Sequence, residues 1–340
     1  MRAQELMSTT IVVDSHNDSI VSLMRRDGES IAGPDSPPRP DPDGPVAFLR
    51  GPLDSTTGPI QLNIPKMRAG GIDVAYFAVD VTRARNNYLA YAMDALGWFI
   101  EEVEAHSSEI TIAASVSEIR RAQEQGKIAA VLAVENSEVL ERSIHVLQVL
   151  YRIGVRSLTL TWCYRTWAAD GELESGTGGG LTEFGLRMVR QMNELGMLVD
   201  ISHISERGFW DVIDASAAPV IGTHNCCRAL GDHGRNLDDE QIRAISQSGG
   251  VVGITYVEPF VDPIAPTIEK LMDHIEHAAT VGGIGCVGLG SDFDGGGELL
   301  PDATSTPRIA EGLSERGWSD DDLRKLLGLN HLRVFEEVCG

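Results

Sequence analysis

Short apolar runs alternate with longer amphipathic stretches along most of this chain. Eight of these runs are four to eight residues long and rich in Val, Ile or Leu, as expected for strands that are buried on both faces. The predicted strands occupy residues 11–14, 73–79, 129–134, 156–161, 197–201, 219–223, 250–255 and 286–290.

The stretches between these runs have the spacing of amphipathic helices. The clearest helices are predicted at residues 89–106, 184–195, 239–247 and 268–281. Ser319 precedes an acidic turn and a set of leucines, which is typical of a capped helix start. Gly196 directly follows the second of these helices, at a position where glycine commonly terminates a helix.

Eight strands, each followed by a crossover, form the pattern of a (β/α)8 barrel. A doubly wound parallel sheet is the main alternative, and its first strand is usually followed by a glycine-rich phosphate-binding turn. Here the first strand continues into the polar residues 14–18, and the glycine-rich segment 176–180 lacks the Lys-Ser/Thr of a P-loop. We therefore predict an α/β fold with a single (β/α)8 (TIM) barrel over residues 1–340.

The segment at about 29–58 is dense in Pro, Gly, Asp and Ser. Proline lacks the backbone donor and disfavours helix at the residue before it, so neither a helix nor a central strand is expected here. We interpret the segment as a solvated loop, and a lid or interface arm near a functional site is the alternative.

Charge and cysteine content narrow the class of protein. The chain has 340 residues, with 28 Lys plus Arg against 50 Asp plus Glu, and its formal net charge is −22. Such an acidic surface repels phosphate backbones and anionic lipid, so no nucleic acid or membrane partner is expected. The five cysteines include no C-x-x-C pair, which argues against a disulfide framework and favours a reducing, cytoplasmic setting. No signal-peptide core and no run of about 18 apolar residues occurs.

Candidate metal-binding residues follow several predicted strands at the point where each strand ends. In a (β/α)8 barrel these ends meet on one face, where active sites are built. Three imidazoles and two carboxylates would converge there: His16, Asp18, Glu135, His203 and His224. Taken singly, each has a structural interpretation, such as a helix cap at Asp18 or an exposed strand end at Glu135. As a set they predict a metal site at the carboxyl ends of the strands.

The ligand types indicate which metal this site holds and how many ions. Histidine and carboxylate ligands without thiolates suit Zn²⁺, and Mn²⁺ or Fe²⁺ less strongly. Five ligands exceed the three of one open catalytic zinc but suit two ions that share a carboxylate. We predict that Glu135 bridges the ions, with His16 and Asp18 on one and His203 and His224 on the other. Two ions roughly 3.5–4 Å apart can hold a bridging hydroxide and polarise a carbonyl, which is hydrolytic chemistry.

Hydrolysis also needs a group that takes a proton from water and passes it to the leaving amine. Asp292 follows the last predicted strand and is our candidate for this general base and acid. Its structural alternative is a turn in which the carboxylate accepts local backbone N–H groups, a role that fits Asp294 better. We interpret Cys226 and Cys227, which closely follow His224, as buried small residues.

Several motifs, taken together, resemble one known family. They are DSHND at 14–18, Glu135, GMLVDISH at 196–203, TH at 223–224, RN at 235–236 and GLGSDFDG at 288–295. The chain resembles the renal (membrane) dipeptidase family, peptidase family M19, within the amidohydrolase superfamily. The resemblance runs from about residue 10 to 337, and GLNHLRV at 328–334 fits the carboxyl-terminal signature of the family.

This resemblance implies a binuclear zinc dipeptidase on a distorted (β/α)8 barrel, usually a homodimer. It places two Zn²⁺ per chain on the five residues named above, with Glu135 as the bridge, and proton transfer at Asp292. It also implies that Arg235 binds the free carboxylate of the substrate, which suits a planar guanidinium that stays charged. Members hydrolyse dipeptides, often with a D-residue at the carboxyl end, and some open β-lactam rings or cleave dehydropeptides.

Three departures from the family pattern lie around the expected pocket. Trp162 stands where mammalian members have a histidine that contacts the substrate, so we expect Trp162 to bind substrate without the charge of an imidazolium. Cys163 stands where many bacterial relatives have Asn, and Asn-Ser-Glu at 136–138 replaces small residues after Glu135. The chain also lacks the leader and lipid-anchor signals of the membrane forms, and so resembles the soluble bacterial forms.

These departures keep other functions open. The first is a related amidohydrolase-type enzyme that acts on a lactam, a lactone or a natural-product amide; Glu135 there takes the place of the carbamylated lysine found in phosphotriesterase-like enzymes. The second is a non-enzymatic barrel that binds a peptide or a metal. A complete ligand set with a positioned proton shuttle argues against a mere binding module.

Overall fold

The computed structural model describes residues 2–25, 29–34, 58–83 and 87–340. The strands in these residues are β1 (Val13–Asn17), β2 (Val74–Asp80), β3 (Ile110–Ile112), β4 (Ile128–Glu135), β5 (Val155–Thr159), β6 (Leu198–Asp200), β7 (Val220–Asn225), β8 (Val251–Ile254) and β9 (Val287–Leu289).

The helices in the same residues surround these strands. They are α1 (Arg2–Ser8), α2 (Ser19–Arg25), α3 (Ile64–Gly70), α4 (Tyr88–Ala105), α5 (Val116–Glu124), α6 (Ile144–Arg152), α7 (Glu183–Leu195), α8 (Glu206–Ala215), α9 (Asp239–Gln247), α10 (Glu258–Val261), α11 (Ile268–Gly282), α12 (Pro307–Glu315), α13 (Asp320–Arg324) and α14 (Asn330–Cys339). A π-helical turn, Lys325–Leu329, joins α13 to α14.

The strands form a closed parallel barrel. Neighbours follow the order β2-β1-β9-β8-β7-β6-β5-β4, and β4 pairs back to β2 at seven consecutive positions. β3 lies outside this ring of eight strands and pairs with residues 128–130 at the beginning of β4. The predicted (β/α)8 barrel is therefore confirmed, and an open doubly wound sheet is excluded because such a sheet does not close.

Most of the sequence-based element predictions are confirmed. Each of the eight predicted strands overlaps one strand of the barrel, with boundaries that differ by at most three residues. The Ser319 hydroxyl accepts a hydrogen bond from the Asp322 N–H at the start of α13, and Gly196 adopts a φ of 77° at the end of α7. The pattern missed β3, whose three residues are too few to show a period. The predicted loop at about 29–58 lies largely outside the described residues, and its role and the single-domain assignment stay predictions.

Apolar packing fills the amino end of the barrel. Val13, Val74 and Leu198, the first residues of their strands, form one buried cluster with Leu332 and Phe335 of α14. The same helix contacts β6, β8 and β9. Because apolar side chains occupy this end, the polar residues of the strands are left for the carboxyl end, where barrel active sites lie.

Two further expectations can be compared with the structure. No helix in the described part of the chain is long and apolar enough to cross a membrane. All five cysteines are free, and Cys226 and Cys227 are buried as predicted, with Cys226 Sγ 3.5 Å from the Thr255 carbonyl oxygen.

Gly290, directly after β9, provides a test of the close packing inside the barrel. A Cβ atom there would lie 1.8 Å from the Thr223 carbonyl oxygen and 2.7 Å from Ser15 Oγ. We expect Gly290→Ala to lower the free energy of unfolding by about 1–3 kcal/mol, since backbone atoms cannot yield as a flexible side chain can. The measurement is the urea midpoint. Gly285→Ala is the control, because a Cβ there has nothing within 4 Å, and equal shifts in both variants would contradict the packing argument.

Candidate metal centre

The carboxyl end of the barrel brings together the five ligands predicted from the sequence. His16 lies in β1 and Asp18 directly follows this strand, while Glu135 is the last residue of β4 and His224 lies in β7. His203 lies three residues beyond the end of β6. None of the five is more than 7% exposed. The cluster is therefore a buried set of imidazoles and carboxylates.

Glu135 lies at the centre of this cluster. Its Oε1 atom is 2.8 Å from His203 Nε2 and 3.8 Å from His224 Nε2, and its Oε2 atom is 3.8 Å from His16 Nε2. Two groups of possible ligands share this carboxylate, one with the pair His203 and His224 and one with the pair His16 and Asp18. Within each group the ligand atoms lie within 4.8 Å of one another. This is the grouping expected if Glu135 bridges two ions.

A third group of possible ligands joins Asp200, the last residue of β6, to His16 and His224. The carboxylate of Asp200 already accepts four hydrogen bonds within the protein, two of them from the backbone N–H (3.0 Å) and the hydroxyl (2.5 Å) of Thr223. Because its acceptor sites are occupied in this way, we interpret Asp200 as a residue that positions its neighbours rather than as a ligand.

Thr223 determines which nitrogen of His224 faces the cluster. The Thr223 hydroxyl donates to Asp200 and therefore accepts from His224 Nδ1, which lies 2.8 Å away. With its proton on Nδ1, the ring presents the lone pair of Nε2 to the site, the usual orientation of a metal-binding histidine. Sequence reasoning missed this chain of hydrogen bonds, although an aspartate as the last residue of a buried strand was an available signal.

Cys163 lies beside His203 Nδ1, as Thr223 lies beside His224 Nδ1. Its Sγ atom lies 3.3 Å from His203 Nδ1. Burial raises the pKa of the Cys163 thiol to about 12, so the group remains a neutral thiol at neutral pH. The sequence marked this residue as a departure from the family pattern, but the contact itself depends on the fold.

Left-handed backbone at two turns directs site residues into the cluster. His203 has a φ of 67° and Asp292 has a φ of 61°. Residues other than glycine rarely adopt this region, and those that do are often found at functional sites. The alternation of side chains along a strand does not extend into these turns, so strand periodicity alone does not predict where the two side chains point.

The carboxylates of the cluster are crowded. Burial, reinforced by repulsion from Asp80, Asp18 and Asp292, raises the pKa of the Glu135 carboxyl well above its usual range. A buried carboxylate of this kind is stabilised either by a proton or by a cation. The crowding is therefore a physical reason to expect a cation here.

The three imidazoles supply lone pairs rather than positive charge. Burial lowers the pKa of His16 to about 4 and holds the pKa values of His203 and His224 well below the ordinary histidine value. His16 Nε2 is buried and makes no hydrogen bond within the described residues. Neutral imidazoles around a crowded carboxylate are the donor set that binds a divalent metal.

The two aspartates after β9 have different surroundings. Asp292 Oδ1 lies 3.9 Å from His16 Nε2, so its carboxylate borders the ligand cluster. Asp294 instead accepts hydrogen bonds from Ser19 Oγ at 2.6 Å and from the Gln61 backbone N–H at 2.7 Å. Asp294 therefore has structural partners, but they lie on distant segments of the chain and not in its own turn as expected.

Arg235 and Trp162 flank the cluster. Arg235 is 3% exposed; its Nη2 atom donates to the His224 carbonyl oxygen at 3.1 Å, and its Nε makes no hydrogen bond among the residues described. A buried guanidinium with an unused donor suits an anionic ligand. The Trp162 ring stacks on the His203 ring at a centroid distance of 5.8 Å and an interplanar angle of 27°.

Two cavities open beside these residues. The smaller has a volume of about 280 Å³ and is lined by His203 and Arg235, among others. The larger has a volume of about 780 Å³, and its lining includes Trp162 and Asn136, the residue after Glu135. Arg235 and Trp162 therefore each border a cavity next to the cluster.

A closed (β/α)8 barrel with histidines and carboxylates grouped at the carboxyl ends of its strands defines a class of metal-dependent barrel proteins. Within that class, the sequence pattern of one family, membrane dipeptidase (peptidase family M19), matches residues 1–339 of this chain. The chain belongs to this family, as the sequence motifs predicted.

Individual relatives agree with this assignment. Dipeptidase verJ from Clonostachys rogersoniana is 37% identical over 240 residues, which cover 69% of this chain and 62% of that relative, less than two thirds of its length. A crystal structure described as the dipeptidase AC, a metallopeptidase of family M19, is 26% identical with a TM-score of 0.83 over 98% of this chain and 99% of that chain. A metallopeptidase from Rhodobacter sphaeroides, liganded with a phosphinate mimic of the dipeptide L-Ala-D-Ala, is 25% identical with a TM-score of 0.82 over 97% of this chain and 99% of that chain.

Gly295 tests how closely the backbone packs against the carboxylates. A Cβ atom at Gly295 would lie 2.1 Å from Asp18 Oδ2 and 2.4 Å from Asp292 Oδ1. We expect Gly295→Ala to displace both carboxylates and to weaken the binding of a divalent metal, with Zn²⁺ as the probe, by about tenfold or more, the scale seen when groups that orient a metal site are altered. Competition with a chromophoric chelator measures this affinity.

Gly296→Ala is the matched control for this prediction. The nearest atom to a Cβ at Gly296 is Val257 Cγ2 at 3.7 Å, which is an ordinary contact. Zinc affinity should therefore be unchanged in this variant. Full zinc affinity in Gly295→Ala would mean that Asp18 is not a ligand or that the turn relaxes without cost.

Proposed function

We propose that this chain is a binuclear zinc dipeptidase that hydrolyses the peptide bond of free dipeptides, including those with a D-residue at the carboxyl end. The observation that carries the proposal is the carboxylate of Glu135, which two separate groups of possible ligands share. Membership of the membrane dipeptidase family supports the same conclusion.

The donor set fits two Zn²⁺ ions. His16 and Asp18 would hold one ion, His203 and His224 the other, and Glu135 both. Positive charge between these groups would favour the ionised form of the buried Glu135 carboxyl and would give His16 Nε2 a partner. The ligand atoms are nitrogen and oxygen, which suits zinc in hydrolytic sites.

When bound, the two ions lower the pKa of a water molecule and polarise the carbonyl group of the substrate. In our proposal Asp292 accepts a proton from this water as the water oxygen attacks the carbonyl carbon. Asp292 then returns the proton to the amide nitrogen as the C–N bond breaks, which releases the amine. One water is added across one peptide bond, and Asp292 ends in its starting state.

Arg235 is proposed to bind the free carboxylate of the substrate. The hydrogen bond from Arg235 to the His224 carbonyl oxygen keeps the guanidinium at a constant distance from a ligand-bearing strand. A carboxylate held there places the peptide bond one residue away, which would restrict the enzyme to substrates with a free carboxyl end. Trp162 is proposed to be a wall of the substrate site, since it stacks on His203 and offers a single N–H donor.

The remaining expectations rest on different observations. The D-residue specificity rests on the Rhodobacter sphaeroides relative, whose ligand mimics L-Ala-D-Ala. The homodimer rests on the family resemblance, and light scattering of the purified protein tests it. A reducing, cytoplasmic setting rests on the five free cysteines.

A dipeptide panel tests the proposed activity directly. We expect zinc-loaded protein to cleave members of matched L-L and L-D series, with about two zinc ions per chain by elemental analysis. Activity should be lost after chelation and should return with Zn²⁺. The controls are two modified forms of the best substrate. The carboxyl-amidated form should bind poorly because it lacks the carboxylate that Arg235 is proposed to hold, whereas the N-acetylated form should still bind at Arg235.

Two bound metals without cleavage of any dipeptide would contradict the proposed activity. The metal centre would then serve the alternative chemistry on a lactam, a lactone or a natural-product amide. A carbamylated lysine in the metal site, detected by mass spectrometry, would overturn Glu135 as the bridge.

Asp292→Asn tests the proton-transfer step. The amide keeps the shape of the side chain but cannot accept the proton, so we expect kcat to fall by about 10²-fold or more while both metals stay bound. Asp294→Asn is the comparison two residues along the chain. Because Asp294 holds the turn, this variant should lower the thermal midpoint of unfolding and leave kcat largely unchanged. Unchanged turnover in Asp292→Asn would remove Asp292 from the mechanism.

A further inference from the structure

The larger of the two cavities has an unusual lining. Four of the nine described residues that line it are aromatic, namely Tyr88, Trp162, Tyr164 and Trp167. Aromatic residues make up only 6% of the whole chain. Such a concentration, in a cavity of about 780 Å³, is typical of a site that binds an apolar organic group.

This cavity, which we call the aromatic cavity, is lined by two residues that adjoin the candidate ligands. Asn136 contributes to its lining and directly follows Glu135. Trp162 lines it as well and stacks on His203. A group bound in the aromatic cavity would therefore lie beside the proposed scissile bond.

We propose that the aromatic cavity binds the side chain of the amino-terminal residue of the substrate and selects a large aromatic group there. This inference rests on the proposed dipeptidase function. It assigns Tyr164 and Trp167 as residues that determine specificity, in addition to Trp162.

The direction of the substrate follows from Arg235. This guanidinium lines the smaller cavity together with His203, so the carboxyl-terminal residue occupies that side. In this proposal the amino-terminal residue extends from the cluster past Trp162 into the aromatic cavity. The aromatic cavity has a volume of about 780 Å³ and the smaller cavity about 280 Å³, so the amino-terminal side chain has more space than the carboxyl-terminal one.

The aromatic walls are held in place before a substrate binds. The backbone N–H of Trp167 donates to Glu138 Oε1 at 3.0 Å, and the Arg142 guanidinium lies over the Trp167 ring at 4.2 Å from its centroid. Trp167 is 50% exposed and Tyr164 is 59% exposed, so much of each ring remains available for contact. Rings that are already ordered lose little conformational entropy when a ligand stacks on them.

An aromatic group fits this lining better than a basic or a small one. Aromatic pairs gain from ring geometry in addition to the area that they bury. The charged groups give a basic side chain no clear advantage: Glu138 lines the cavity and accepts the Trp167 N–H, while Arg165 pairs with Asp170 and Arg142 covers Trp167. A methyl group would leave most of the cavity filled by water.

The test compares substrates that differ only at the amino-terminal residue. Zinc-loaded full-length protein is assayed with L-Xaa-D-Ala and L-Xaa-L-Ala, where Xaa is Ala, Leu, Lys, Phe or Trp. We expect kcat/KM for Phe and Trp to exceed that for Ala by about tenfold or more, a typical discrimination for a well-fitted apolar pocket. The reverse series, Ala-Xaa, should show no such preference because the smaller cavity receives that side chain.

Trp167→Ala and Tyr164→Ala identify the residues responsible. Each should reduce the preference for Trp over Ala by about fivefold or more, chiefly through a lower kcat/KM for the Trp substrate. Leu329→Ala is the matched control, since Leu329 is 45% exposed and lies next to Gly328, which packs against Ile11 at the amino end of the barrel. A flat profile in the unaltered protein, or a full preference in both variants, overturns the proposal.

Binding is measured separately so that this inference and the proposed function can fail independently. Calorimetry on zinc-loaded Asp292→Asn compares Trp-D-Ala with Ala-D-Ala, with and without Trp167→Ala. Tighter binding of Trp-D-Ala that depends on Trp167 supports the aromatic cavity, whether or not the unaltered protein hydrolyses dipeptides. Absence of hydrolysis would contradict only the proposed function. Hydrolysis of dipeptides without an aromatic preference in turnover or binding contradicts only the aromatic cavity.

Discussion

The buried negative charge of Glu135 is the constraint on which the rest of the site depends. This carboxylate is 2% exposed and lies among other carboxylates at the mouth of a closed barrel. Burial of an unpaired ion costs several kcal/mol. The carboxyl group is therefore expected either to be protonated or to be paired with a cation. The surrounding imidazoles, which burial holds neutral, supply lone pairs but no charge. The same feature that makes the site unfavourable without a cation makes it a strong site for a divalent metal, which links stability to metal binding.

The two ends of the barrel differ in polarity, and the buried charge lies at the polar end. Apolar residues and α14 fill the amino end, while histidines and carboxylates occupy the carboxyl end. Around the charged cluster, groups that are not ligands limit its movement: Asp200 and Thr223 orient His224, and Gly295 lies against two carboxylates without space for a Cβ atom. Such support matters because a metal site requires its ligands to be held close to one geometry.

The five residues expected as ligands all lie in the cluster, and Trp162 and Cys163 lie beside it. Trp162 and Cys163 both contact His203, one through its ring face and the other at Nδ1. Neither residue belongs to a group of possible ligands in the part of the chain that the structure describes, and Trp162 also lines the larger cavity. The possible metal ligands and the residues that shape the larger cavity are therefore different, so one set could vary while the other is retained.

The sequence by itself determined the eight strands of the barrel and the five candidate ligands, because apolar runs and the polar residues that end them are local features of the chain. It did not reveal β3, the hydrogen bonds from Thr223 to Asp200, or the contact of Cys163 with His203. β3 is too short to show a period, and the two contacts depend on the pairing of neighbouring strands, which brings residues 23 and 40 positions apart into contact. The left-handed φ values at His203 and Asp292 likewise appear only in the structure. The tertiary structure alone decided which carboxylates face the metal site and which hold the backbone, since Asp200 differs from Glu135 in its partners rather than in its position at a strand end.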